Sequence, residues 1–217
     1  MIKPLITAVP RSGTAFTAKL LNKSGIRAIH ERSSGEVTVS WMHIAHKLNK
    51  RYTRDMGSSP AWDHLEIAKK VGVDFNPILH QVRDPLKCIA SLTSLRDPAK
   101  EFIFKITQRC PRRPKMMSNL DYEIYKCMWC WLKWSELIES RKPSYRFRIE
   151  DMEKEYSTVL SILDVGRSGV FPGLARDTNS RSHVTLGMED LIRCGPDIVD
   201  TILEKAESYG YDTSYWE

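Results

Sequence analysis

The sequence predicts an α/β fold: a central parallel sheet flanked by helices. Two features carry the prediction. Short apolar runs end in Gly, Pro or Asp signals and are followed at once by helical periodicity, at 4–23 and again at 77–92. The composition also suits a packed core, with 41% hydrophobic and 28% charged residues. At 217 residues one domain spanning 1–217 is expected.

Residues 4–9 (Pro-Leu-Ile-Thr-Ala-Val) form a short apolar run, as in a buried parallel strand. Pro10-Arg11-Ser12-Gly13 breaks it. Phe16, Leu20 and Leu21 then repeat at helical spacing over 14–23, and Gly25 stops the helix. Residues 26–30 return as a second strand, which completes a βαβ opening. Val39, Met42, Ile44, Ala45 and Leu48 predict a helix over 39–48, residues 54–60 a loop, and 63–71 a further helix. Pro77–Val82 reads as a strand. Asp84 is a suitable N-cap with Pro85 at the first helical position, for a helix running through Leu92. Residues 96–118 are irregular and basic, and read as a mobile lid, as a steering surface for an acidic partner or as a solvated loop. A long helix over 120–139 is dense in tryptophan, with core packing as the default role. Residues 145–149 alternate like a strand, 150–152 open a helix, 166–186 form a loop, and 196–209 close the chain as an amphipathic helix.

The composition excludes several classes. No apolar run reaches the length of a membrane span, and the apolar N-terminus breaks at Pro10 too early for a secretory signal. A cytoplasmic location is the expectation. The net charge of +6 favours anionic ligands, but no basic tract interleaved with aromatics points to nucleic acid. Five scattered cysteines argue against a disulfide framework, and the Cys127–Cys130 pair falls in the long helix, where it reads as packing. His43 and His46 lie three apart with no second ligand cluster, so no metal is expected. His80 reads as a core histidine. His64 and His183 are uninformative alone.

Two segments carry chemistry. After the first strand, Pro10-Arg11-Ser12-Gly13-Thr14 must turn sharply into a helix. Gly13 permits unusual φ, and the first amides of the helix converge on one spot with the dipole's positive end. Ser12 and Thr14 add hydroxyls and Arg11 a cation. The segment is either a tight turn with an N-cap serine or a nest for phosphate or sulfate. It is not a triphosphate loop: Ala18-Lys19-Leu20 stands where Gly-Lys-Ser/Thr would, without the second glycine or the magnesium-binding hydroxyl. After the later strand, Arg83-Asp84-Pro85 is followed by Ser91 on the next helix. A guanidinium fork and a hydroxyl at a strand's end can grip a second phosphate, or Arg83 can simply pair with Asp84 or another carboxylate.

As a pair, these segments resemble the two cofactor motifs of the P-loop sulfotransferases, in the branches with arginine in the phosphosulfate loop. Trp129–Glu139, Tyr145–Met152 and Asn179-Ser180-Arg181 resemble later parts of those enzymes, in the same order. The resemblance implies a three-layer sulfotransferase architecture and 3′-phosphoadenosine-5′-phosphosulfate (PAPS) as donor. It implies in-line sulfuryl transfer to a hydroxyl or amine of a glycan, lipid, protein or small molecule, without a metal. Arg11, Ser12, Gly13, Thr14, Ala15 and Phe16 would bind the 5′-phosphosulfate, with Arg11 also stabilising the leaving oxygen. Arg83, Ser91 and Arg181 would bind the 3′-phosphate. Ala15 replaces a common threonine and keeps only its amide. Glu31, twenty residues after Arg11, is the implied general base, while strand alternation predicts that its neighbour His30 turns the other way. The alternatives are a phosphotransferase using the same loop and a non-catalytic protein that docks polyanions.

Overall fold

A computed structural model describes residues 2–45, 73–95, 103, 110–166, 170–173 and 184–216. It is an α/β structure built on a five-stranded, all-parallel sheet in the order β2-β3-β1-β4-β5. The strands are β1 (Ile2–Thr7), β2 (Ala28–His30), β3 (Val37–Val39), β4 (Asp74–Val82) and β5 (Tyr145–Arg148). Among the described residues they are accompanied by the α-helices α1 (Thr14–Lys23), α2 (Pro85–Thr93), α3 (Asn119–Glu139), α4 (Met152–Leu163), α5 (Met188–Cys194) and α6 (Val199–Ser208).

Alternation along the strands supplies two cores. Ile6 and Leu79 face α1 and α4, where Leu20, Leu21, Val159 and Leu160 cover them. Leu5 and Val82 face the opposite side, with Ile89 of α2, Met128 of α3, Leu191 of α5 and Ile202 of α6. The result is three layers, helix on sheet on helix, as expected of a parallel sheet buried on both faces. Trp131 and Trp134 lie within the second core. Cys127 and Cys130 are buried free thiols in α3.

β1 pairs with β4 from Ile2↔Asp74 to Thr7↔His80, with a register shift between Lys3 and Leu5. That shift falls beside Pro4 and Pro77, neither of which can donate to a ladder. From β1 the chain passes through α1 toward β2, and from β4 it passes through α2 and α3 toward β5. The two connections leave adjacent central strands in opposite directions, and the gap between them is where an open α/β sheet takes its ligands.

Three expectations need correction. Val39 does not start a helix: Val37-Thr38-Val39 is β3, and a short 3₁₀ turn, His43–Ala45, follows, with the rest of the expected helix outside the described residues. All three strand residues are buried, so the run shows no alternation, and Val39 falls in helical spacing with the apolar residues after it. The second strand begins at Ala28, two residues later than expected, and the first ends at Thr7, two earlier. An unforeseen helix, α5, forms where Gly187 N–H donates to Asp190 Oδ2 at 3.0 Å. The expected helix at 63–71 lies outside the described residues.

Candidate functional site

The site is built where β1 and β4 end side by side. After Thr7 the chain turns through two left-handed residues, Arg11 (φ 73°) and Gly13 (φ 86°), before α1 begins. A Cβ on Gly13 would lie 2.6 Å from Ile149 Cδ1, so glycine is required both by conformation and by space. The first turn of α1 carries no acidic residue. Among the described residues, the amides of Gly13, Thr14, Ala15 and Phe16 meet no hydrogen-bond acceptor.

β4 fixes this turn from beside it. Gln81, buried completely, donates from Nε2 to the Ser12 carbonyl and accepts from Thr17 Oγ1 at 2.6 Å. Arg83 donates from Nη1 to the Arg11 carbonyl at 2.7 Å. Cys88 of α2 lies beneath, with its Sγ 3.3 Å from Ser12 Oγ and donating to the Pro10 carbonyl at 3.5 Å. Burial pushes the Cys88 thiol up to about 11, so it serves as a neutral donor.

The two sequence motifs meet directly. Arg11 reaches across the gap and donates from Nε to Ser91 Oγ at 3.0 Å and from Nη2 to Ser94 Oγ at 3.4 Å. The β4–α2 turn is held by its own cap, Lys87 N–H on Asp84 Oδ1 at 3.0 Å. It is also held by Glu150, whose Oε1 accepts the Asp84 N–H at 3.0 Å and whose Oε2 accepts Tyr211 Oη–H at 2.9 Å. Arg83 makes no ion pair with Asp84 among the described residues. Its guanidinium holds the loop backbone instead.

A polar chain borders the loop on the β2 side. Thr14 Oγ1 lies 3.0 Å from His30 Nε2, and the same nitrogen lies 3.2 Å from Glu31 Oε1. Glu31 accepts from Trp41 N–H on Oε1 at 3.3 Å and from Ser40 Oγ on Oε2. Ser40 Oγ in turn lies 2.8 Å from His43 Nδ1. Alternation predicts that His30 turns away from Glu31. It does not, because β2 ends at His30 and Glu31 takes a left-handed φ of 60°, which breaks the strand's alternation.

The structure thus gathers Arg11, Ser12, Gly13, Thr14, Ala15, Phe16, Glu31, Arg83 and Ser91 at one edge of the sheet. Gln81 and Ser94 join them, and the sequence signal for Gln81 was only a polar residue in an apolar strand, two before Arg83. Arg181, Asn179, Ser180, His46, His64 and His183 lie outside the described residues, as does much of the basic 96–118 stretch. Of its described residues, Pro111–Met116 are exposed, whereas Ile103 is buried in the core and Cys110 and Met117 pack partly against it. His80 sits elsewhere, in the core beside Arg146 and Tyr209, and its basicity is lowered to about 3, chiefly by burial. Among the described residues no three His, Cys, Asp or Glu side chains cluster as a metal site, and no helix is long and apolar enough to cross a membrane. Comparison with protein-family models, with curated proteins and with solved structures finds no match to this chain.

Proposed function

We propose that this protein transfers a sulfuryl group from PAPS to a hydroxyl-bearing acceptor. One observation carries the reading: Arg11, from the loop after β1, lies on Ser91 of α2, while Arg83 holds that loop's backbone. Two permanent cations, the Ser91 and Ser94 hydroxyls and a row of open amides therefore lie together where β1 and β4 end side by side. Every group in that set is a donor or a cation, which suits a nucleotide bearing anions at both ends. Lys19, standing where a triphosphate loop would carry its lysine, lies on the exposed face of α1 instead.

The nucleotide supplies the sulfuryl group and departs as 3′,5′-adenosine bisphosphate. The Gly13–Phe16 amides would hold the phosphosulfate, and Arg11 would stabilise the charge that grows on the oxygen leaving sulfur. Arg11 cannot protonate that oxygen, since guanidinium keeps its protons. Ser91 and Arg83 would hold the 3′-phosphate, with Arg11 moving off Ser91 onto the ligand. The acceptor's proton needs a base, and Glu31 with His30 stands beside the loop for that task.

Thermal unfolding with 3′,5′-adenosine bisphosphate, ATP·Mg²⁺ or heparin tests the reading. Bisphosphate at about a hundred times its Kd should stabilise by about 2.7 kcal/mol, roughly 5–10 °C in Tm for a chain of this size. Arg83→Ala and Ser91→Ala should each remove most of that gain. A larger shift with ATP·Mg²⁺ would favour a phosphotransferase. Equal, salt-sensitive shifts with every polyanion would favour simple docking.

A further inference from the structure

We infer that His30 Nδ1 is the atom that takes the acceptor's proton, and that Glu31 is a positioning residue rather than the base. The inference rests on the sulfuryl-transfer reading for its reaction, and on the hydrogen bonds of β2 and β3 for its assignment of roles.

Both oxygens of Glu31 already have protein partners. Its Oε2 accepts from Ser40 Oγ, and its Oε1 accepts from the Trp41 amide at 3.3 Å and faces His30 Nε2 at 3.2 Å. A base must present a lone pair to an incoming hydroxyl, and these oxygens already serve protein donors on both sides. The side chain is only 13% exposed, which leaves it behind the histidine instead of at the mouth.

His30 has the complementary arrangement. Among the described residues, both of its side-chain polar contacts, Thr14 Oγ1 at 3.0 Å and Glu31 Oε1 at 3.2 Å, fall on Nε2. A carboxylate only accepts, so Nε2 carries the hydrogen and the neutral ring's lone pair is left on Nδ1. The side chain is 36% exposed, so the ring is open to an acceptor. Thr14 is the first residue of α1, which places the imidazole beside the loop that would hold the sulfuryl group.

In the transfer, a lone pair of the acceptor oxygen forms the new O–S bond as its O–H proton passes to Nδ1. The bond between sulfur and the bridging oxygen breaks, and its electron pair stays on the bisphosphate. The imidazolium, stabilised by Glu31 across Nε2–H, then returns its proton to water.

¹⁵N NMR of the full chain labelled at histidine, without ligand and above the imidazole titration range, reads the tautomer of His30. The expected result is hydrogen on Nε2 in the wild type, with Glu31→Gln and Glu31→Ala each mixing the two tautomers. Release of 3′,5′-adenosine bisphosphate from PAPS, with water as acceptor, supplies the second readout. His30→Gly should slow it by about 10²-fold, free imidazole should restore it, and the bisphosphate Kd should stay within about twofold. Hydrogen on Nδ1, or a His30→Gly rate equal to wild type, overturns the inference alone. A chain that does not bind the bisphosphate at all overturns the functional reading as well.

Discussion

Gly13→Ala tests the loop's geometry without reference to any ligand. At φ 86° an L-residue pays for the left-handed region, about 1–2 kcal/mol. The new Cβ also meets Ile149 Cδ1 at 2.6 Å, while its next neighbour, Gln81 Nε2, is at an ordinary 3.5 Å. Because that methyl is the end of a flexible side chain, the clash adds the low end of an overpacking cost, about 1 kcal/mol. The sum is about 2–3 kcal/mol. Gly210→Ala isolates the backbone part, since Gly210 has φ 81° and an added methyl there would meet nothing within 4 Å. Ile149→Val removes the clashing carbon, so the double variant Gly13→Ala/Ile149→Val should recover about 0.5–1 kcal/mol relative to the sum of the singles. Urea unfolding followed by tryptophan fluorescence measures all four. Strict additivity between positions 13 and 149, or a Gly13→Ala loss no larger than that of Gly210→Ala, would refute the reasoning.

Gln81→Leu strips partners from the Ser12 carbonyl and the Thr17 hydroxyl. It should cost about 2–4 kcal/mol in urea unfolding and weaken bisphosphate binding in the same titration. Arg11→Lys loses the fork that spans Ser91 and Ser94 and should weaken bisphosphate binding about tenfold by calorimetry. Burial holds the Cys88 thiol at about 11, so thiol reagent near neutral pH should label it only after denaturant is added, as peptide mass mapping would show. His80 titrates near 6.5 when unfolded and at about 3 when folded, because burial, then Arg146, then Lys205 disfavour its charge. The unfolded chain therefore binds the extra proton between those values. Stability is full above about 6.5 and falls as pH drops toward 3, by roughly 1 kcal/mol per pH unit. His80→Gln should flatten that slope in pH-dependent urea titrations.

The central elements were legible because punctuation and period agreed. The run into Pro10 and Gly13, and the run into Asp84 and Pro85, each joined a strand to a helix; the second starts with the expected Asp84 cap and Pro85, whereas the first has Gly13, not a serine, at its N-cap and no side-chain cap. β3 was not legible, since three buried residues show no period and are too few to outweigh the apolar positions after them. Arg11 and Ser91 are 80 residues apart, and their meeting depends on β1 lying against β4, a pairing that no local pattern encodes. The orientation of His30 escaped for a local reason: alternation holds only while the backbone stays extended, and Glu31 leaves that region. Gln81 escaped because a single amide in a strand reads as noise until its two partners are known.

Glu150 joins the tail of the chain to the β4–α2 turn, with Tyr211 on one oxygen and the Asp84 amide on the other. Arg148 reinforces the link from beside it, donating to the Gly210 carbonyl and covering the Tyr211 ring at 5.4 Å. A protease cut or a fused tag just before Tyr211 would thus slacken a turn that is more than a hundred residues away in sequence. Extensions are safer placed where they leave this tether untouched.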